Sequence, residues 1–192
     1  MTSGSADLSN DLKMGVMTNG RMARSTDDIR IRPWDPALDT RWSTEALETG
    51  LAGRRQARRG EIVDVLDGEA WIAELGDRPI GIVAVRPDGP DQVELAALLV
   101  MESGRGIGSA LIDAVLDAVR PRSIRRVWVV TTNDNLAALR LYQRCGFRLA
   151  AVRPGAVDRA RATLKPEIPA VAANGIPIRD EIELEIVFER DA

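Results

Sequence analysis

Apolar and polar positions alternate at the start of the patterned region, where Ile29 and Ile31 are interleaved with Arg30 and Arg32 ahead of Pro33. A period of two predicts a short strand. A helical region follows over roughly Asp39 to Arg59. Two further strand patterns, Ala70 to Glu74 and Pro79 to Val85, flank Gly76-Asp77-Arg78, a short glycine-containing connection of the kind that closes a hairpin. Val93 to Val100 reads as a third strand. The period then lengthens: between Gly106 and Arg120, the residues Leu111, Ile112, Val115, Leu116 and Val119 fall on one helical stripe, and Pro121 stops it. Val127 to Thr131 is a β-branched run expected to be a buried strand. Asn135 to Cys145 is a second helix ended by Gly146, and Phe147 to Val152 is again a strand. Strand, helix, strand, helix, strand implies an α/β sheet. A segment holding proline and glycine, Arg153 to Pro177, precedes the last strand. There Ile182, Leu184, Ile186 and Phe188 alternate with Glu181, Glu183, Glu185 and Val187, and the glutamates beyond Glu181 read as a solvated face.

Residues 1 to about 25 show no sustained period and are small and polar, with methionines at 1, 14, 17 and 22. They bury too little to offset the entropy of ordering, so a flexible tail is expected ahead of a single domain over 26–192. A chain of 192 residues, 45% hydrophobic, holds a substantial core but little more than one domain. The longest apolar run, Leu95 to Met101, is far short of the roughly 20 residues of a membrane helix. With no basic and apolar leader at the start, the expectation is a soluble, cytoplasmic protein without a membrane partner. The net charge of -3 is interspersed along the chain, which argues against nucleic acid as a partner.

Two absences narrow the chemistry. The chain has no histidine, which removes imidazole bases, histidine metal ligands and the usual serine and cysteine triads. The single Cys145 removes intramolecular disulfides and multi-cysteine zinc sites, and its place at a helix end reads as a buried packing residue. Against this background stands Glu102-Ser103-Gly104-Arg105-Gly106-Ile107-Gly108-Ser109, between the third strand and the long helix. Glycines at alternate positions let successive amides turn toward one anion at the positive end of a helix, the chemistry of a pyrophosphate cradle, although a bare tight turn would use the same residues. A dinucleotide fingerprint is disfavoured, since Ser109 stands where its third glycine belongs and no acid follows at the required distance. A P-loop is excluded, because the only lysines are Lys13 and Lys165.

Together with Asn135-Leu-Ala-Ala138-Leu-Arg-Leu-Tyr142-Gln-Arg-Cys-Gly146-Phe147, about 27 residues downstream, this turn resembles the two central motifs of the GNAT superfamily of acyl-CoA-dependent N-acyltransferases. Those motifs are a Gln/Arg-x-x-Gly-x-Gly/Ala turn and an Asn-x-x-Ala-x-x-x-Tyr-x-x-x-Gly-Phe helix. The second is matched at every anchor; in the first, Ser103 replaces the usual Gln or Arg, and Arg105 is the residue placed to supply the missing positive charge. The resemblance spans about residues 28 to 152. It implies an α/β (α+β) GNAT fold, a central mixed, twisted β-sheet of about six to seven strands flanked by helices. It further implies an acyltransferase that uses acetyl-CoA as cosubstrate and no metal. The pyrophosphate would lie on the amides of Gly104, Arg105, Gly106, Ile107, Gly108 and Ser109, and the pantetheine arm beside Leu99 and Val100, where two central strands splay. Asn135 and Ala138 would contact the cofactor, and Tyr142, the only tyrosine, would protonate the departing thiolate. Asn135 as a helix cap and Tyr142 as a core aromatic are the plain alternatives.

The acceptor implied is a primary amine of a small molecule. A lysine-like amine of pKa about 10.4 requires roughly 4.6 kcal/mol to be neutral at pH 7, an α-amine near 7.7 only about 1 kcal/mol. With no histidine, that difference favours the weaker base. By family analogy Glu94 is the best-placed proton acceptor, directly or through a water, with Asp180 and Glu181 next. The excess of Arg153, Arg159, Arg161 and Lys165 over Asp158 and Glu167 suggests a carboxylate on the acceptor. Acetylation of a protein amine, and a CoA-binding domain without catalysis, stay open, as does a homodimer. A plain nucleotide-binding module would keep the turn without the Asn135 to Phe147 pattern.

Overall fold

The first strand begins where the alternation does. In the computed structural model, which describes residues 29–189, β1 (Ile29–Pro33) pairs antiparallel with β4 (Glu69–Leu75), and β4 with β5 (Arg78–Pro87) in the expected hairpin. The expected tail, residues 1 to about 25, lies outside the described residues. β6 (Gln92–Val100) follows antiparallel to β5, and α2 (Ile107–Val119) carries the chain to β7 (Arg126–Thr132). After α3 (Leu136–Arg144) come β8 (Arg148–Arg153), α4 (Ala156–Thr163) and β9 (Glu181–Val187), which inserts between β7 and β8. The result is a seven-stranded sheet in the order β1-β4-β5-β6-β7-β9-β8, in which only β6 and β7 run parallel. The mixed α/β sheet flanked by helices is the expected one.

Each face of the sheet has its own core. Leu111, Ile112, Val115 and Val119 of α2, the stripe read from the sequence, bury against β4 and β5 in one cluster with Tyr142 and Phe147. On the opposite face Leu47 of α1 (Pro36–Leu51) packs against Ile72, Ile82, Ala84 and Ala96. Gly81 lets β5 come close under α2, since a Cβ there would meet Leu111 Cδ1 and the Leu99 carbonyl oxygen at 3.1 Å. No helix among the described residues is long and apolar enough to cross a membrane.

Three expectations are corrected. The first helix is not Asp39 to Arg59: Asp35 caps it through an acceptor for the Ala37 N–H at 2.8 Å, and it ends where Ala52 turns left-handed. The remainder folds as a separate hairpin, β2 (Arg55–Arg58) with β3 (Glu61–Asp64). Four-residue strands with a single apolar residue on β2 carry no period to read. Second, the segment 153–177 holds α4, capped by Gly155, whose N–H donates to Asp180 Oδ1 at 2.7 Å. Third, the β9 glutamates are not a solvated face. Glu183 is buried between arginines of its neighbours β7 and β8, and Glu181, kept as a base candidate, is buried where it accepts from the Arg59 N–H at the hairpin tip. Glu183 accepts from Arg126 at 2.6 Å and Arg153 at 2.5 Å, and Glu185 from Arg126 at 2.6 Å.

Arg32 joins β1, α1 and β4: it forks onto Asp39 at 2.7 and 2.8 Å and reaches Glu74, which also accepts from Arg30. The hydrogen bonds from Arg32 hold both carboxyls below their ordinary values of 3.8 and 4.5, against the opposing effect of burial. A carboxyl whose folded pKa is depressed contributes stability above its unfolded pKa and loses it as pH falls through the folded value. The urea midpoint is therefore expected to hold from about pH 7 to 5 and to fall steadily below about pH 4. A midpoint unchanged at about pH 3 would contradict this assignment.

Candidate active site

Parallel pairing between β6 and β7 lasts for three residue pairs, Gln92 with Arg126, Val93 with Val127 and Glu94 with Trp128. Beyond Glu94 the β5–β6 register shifts, Val85 facing Leu95 but Ala84 facing Ala97, so that Ala96 is an extra residue. A bulge bends a strand away from its neighbour. The two strands fork there, as the resemblance implied, and their facing edges border a cavity of about 640 Å³ lined by Leu95, Ala96, Ala97, Leu98 and Val100 on one side and Val129, Val130 and Thr131 on the other.

The glycine turn closes one end of this cavity. Gly104 (φ 83°) and Gly106 (φ 72°) both take left-handed backbone that a side chain would strain, and Gly106 caps α2 without any side-chain hydrogen bond. The first helical N–H to find a carbonyl is that of Ala110, on Gly106 at 3.0 Å, which leaves the amides of Ile107, Gly108 and Ser109 at the positive helix end. Gly108 lets α3 approach, since a Cβ would meet Leu141 Cδ2 at 3.0 Å. Ser103, Gly104, Gly106, Ile107, Gly108, Ser109, Asn135 and Ala138 all line the cavity. Arg105 does not: its guanidinium is turned onto Glu102 at 3.0 Å. The cations at this end are Arg140 and Arg144 of α3, which the sequence reading missed although they lie inside the motif itself. Leu99 also faces elsewhere, packing in the second core close to Gly50, while Val100 lines the cavity.

Asn135 is indeed the cap of α3, its Oδ1 accepting from the Ala138 N–H at 3.2 Å, and it borders the cavity as well. Tyr142 is buried on the Phe147 ring, with centroids 5.6 Å apart, and its hydroxyl makes no hydrogen bond among the described residues. Burial pushes the phenol up to about 12, with the nearby charge of Arg58 pulling the other way. Cys145, expected to be buried, is half-buried at the C-cap of α3.

Glu94 sits where β6 and β7 part, with no exposed surface and both oxygens engaged: Arg58 donates to Oε1 at 2.5 Å and Arg86 to Oε2 at 2.8 Å. It lines neither cavity. Arg58 is the group that the sequence reading missed, hidden in a stretch read as helix. It borders both the cofactor-side cavity and a second one of about 500 Å³ between α1, the β2–β3 hairpin and α4. Leu51, Arg58, Val130, Thr131 and Asn135 are common to the two and mark where they meet.

Of the basic groups expected near an acceptor, only Lys165 lines this second cavity. Arg153 is held by Glu183, Arg161 by Asp158 and three loop carbonyls, and Arg159 by the Pro154 carbonyl. Of the secondary candidates for a base, Asp180 is occupied with the Gly155 N–H, whereas Glu181 lines the cavity. Among the described residues no group of three or more histidine, cysteine or acidic side chains is placed to hold a metal ion.

Comparison with known proteins agrees with this geometry. The model of the Acetyltransferase (GNAT) family matches residues 30–147. The protein YdhI of Bacillus subtilis (strain 168) is 46% identical over 119 residues, 62% of this chain and 72% of that protein. A Bacillus subtilis acetyltransferase solved in complex with CoA superposes with a TM-score of 0.66 at 22% identity, covering 84% of this chain and 99% of that one. A GNAT family acetyltransferase from Elizabethkingia anophelis with acetyl-CoA bound gives 0.63 at 22% identity, with the same coverage.

Proposed function

The chain belongs to the GNAT acetyltransferase family, and from that premise we propose that it moves an acetyl group from acetyl-CoA directly to the primary amine of a small molecule. The observation that carries the reading is the fork between β6 and β7, which runs from the free amides of the α2 N-terminus to Tyr142 and opens beside Arg58 into a second cavity. Residues and ligand fit: the turn offers unbonded main-chain donors at a helix N-terminus, with Arg140 and Arg144 close by, for a pyrophosphate. The diverging edge of β6 offers unpaired main chain for an amide-bearing arm.

Bound acetyl-CoA supplies an activated carbonyl. A C–N bond forms as the C–S bond breaks, sulfur leaves with the electron pair, and the acceptor nitrogen gives up two protons in passing from ammonium to amide. One proton ends on sulfur and the other in solvent. Tyr142 is assigned to the sulfur. A phenol near 12 yields its proton to a thiolate, ordinarily near 8.5, only uphill, so its hydroxyl acts as a hydrogen-bond donor that strengthens as charge builds on sulfur. Glu94 is assigned to holding Arg58 at the junction instead of taking the proton itself, because both its oxygens are engaged by guanidiniums and it has no open path to the acceptor. Oriented attack within such a channel accounts for rate without any covalent enzyme intermediate, and Cys145 has no part in it.

Acetyl-CoA at about 100 times its dissociation constant is expected to stabilise the protein by roughly 2.7 kcal/mol in a thermal-shift measurement, with NAD and ATP leaving the midpoint unchanged. No shift at millimolar acetyl-CoA would overturn the reading. Thiol release over an amine panel at pH 7 is expected to favour free α-amines over lysine side chains in peptides, in line with the roughly 3.6 kcal/mol difference in the free energy of neutralising them. The reverse preference would make the acceptor a protein amine.

A further inference from the structure

The described chain buries five carboxylates, and four of them hold arginines: Asp39 with Arg32, Glu74 with Arg30 and Arg32, Glu94 with Arg58 and Arg86, and Glu183 with Arg126 and Arg153. Glu181 is the exception. It is 3% exposed, and its only donor is the main-chain N–H of Arg59, shared between its oxygens at 3.1 and 3.2 Å. A carboxylate accepts about four hydrogen bonds, so Glu181 is left with most of its capacity unused. Lys165 is its counterpart. It is 5% exposed, meets no carboxylate, and donates to the carbonyls of Ala52 at 3.1 Å and Arg55 at 2.8 Å, which leaves one of its three protons free. Burial pushes its ammonium below the ordinary value, and the charges of Glu167 and Glu48 oppose that without a hydrogen bond.

Both groups line the second cavity, and they do not pair with each other. A buried charge without a partner is unfavourable by several kcal/mol, and this fold avoids it at every other buried acid. Two opposite charges left open in one cavity form a complementary pair of sites for a ligand carrying both signs.

Resting on the acetyltransferase reading above, we propose that the acceptor is a zwitterion of the amino-acid type, its amine set against Glu181 and its carboxylate against Lys165. The register places Glu181 opposite Thr132, next to Thr131 at the junction of the two cavities, so an amine held there lies close to where the acetyl group arrives. Glu181 takes one proton from the ammonium and passes it to solvent. The freed lone pair forms the C–N bond as the C–S bond breaks, and the nitrogen's second proton replaces the one that sulfur acquires. Lys165 undergoes no chemical change and serves as a specificity-determining residue.

The test compares free α-amino acids with their carboxamides, which keep the amine and lose the anion. With the wild-type protein, kcat/KM is expected to be roughly 10- to 100-fold higher for the acids, the range of one hydrogen bond to a charged group. Lys165→Met is expected to erase that preference while amide turnover persists. Glu181→Gln, which keeps an acceptor for the Arg59 N–H, is expected to lower kcat/KM for acids and amides alike by about 10²-fold. Equal wild-type rates for acids and amides overturn the inference, whether or not Lys165→Met folds. So does a preference that survives Lys165→Met, or no amino-acid turnover by a protein that acetyl-CoA stabilises. Absence of that stabilisation sinks the acetyltransferase reading itself, so the two failures are told apart.

Discussion

Tyr142→Phe is expected to lower kcat by about 10²- to 10⁴-fold while leaving stabilisation by acetyl-CoA nearly unchanged. The substitution keeps the ring, its burial and its tilted contact with Phe147 at 5.6 Å, and removes only a hydroxyl that makes no hydrogen bond among the described residues. The folded state therefore loses no internal partner. What disappears is the one phenolic donor in the wall between the glycine turn and the acceptor cavity. Because the phenol is raised to about 12, it stays protonated throughout the range where amines become free bases, so wild-type turnover should climb with pH toward 9 without a fall from Tyr142 ionisation. Steady-state kinetics from pH 7 to 9 beside a thermal-shift titration separates the two effects. If kcat is unchanged in the variant, Tyr142 only packs.

Glu94→Ala is expected to destabilise the protein by about 3–5 kcal/mol, since it strands two guanidiniums around a site with no exposed surface. Its position multiplies the effect: Arg58 comes from the β2–β3 hairpin, Arg86 from β5, and Glu94 from the last paired position of β6 before the fork, so three pieces of chain are fastened at once. Glu94→Gln is expected to lose less and to keep the fold, which makes it the variant for kinetics. If Glu94 positions Arg58, its kcat falls by a similar factor at every pH. A base would instead take the acidic limb of the pH profile with it. Urea unfolding of the alanine variant and a pH–rate profile of the glutamine variant decide between them, and a loss under about 1 kcal/mol in Glu94→Ala would refute the clamp.

Those residues also mark where sequence reading stops. Periodicity located the α2 stripe because it buries one regular face, and a continuous β-branched run located β7 because it is buried on both; the glycine turn with the Asn135 to Phe147 pattern carried the cofactor side because its spacing is set by local backbone geometry. The acceptor side has no such signature. Arg55-Gln-Ala-Arg58 shows a single apolar residue, so the hairpin that covers it read as the tail of a helix. Glu183 alternates with apolar residues as a solvated strand face would, and it is enclosed only because β9 inserts between β7 and β8 and meets their Arg126 and Arg153. Arg153 and Arg161 looked available to a substrate because the partners that consume them, Glu183 and the carbonyls of Ile168 and Ile178, are fixed by tertiary structure. Lys165 is drawn from the same stretch and is left free for the opposite reason, having met only carbonyls.

The three-pair seam between β6 and β7 divides the sheet along the chain as well as in space. Residues 29–100 make β1 and β4 to β6, with α2 packed chiefly against them, and residues 126–187 make β7 to β9. Each half-sheet is a continuous stretch of sequence that closes its own ladder. The site belongs to neither: the glycine turn, Arg58 and Glu94 are encoded upstream of the seam, and Asn135, Tyr142, Lys165 and Glu181 downstream. Exchange of one half between related chains at the Pro121–Ser123 connection would thus part the glycine turn from Arg140 and Arg144, and the hairpin from Lys165 and Glu181, so phosphate grip and amine choice each need both halves inherited together.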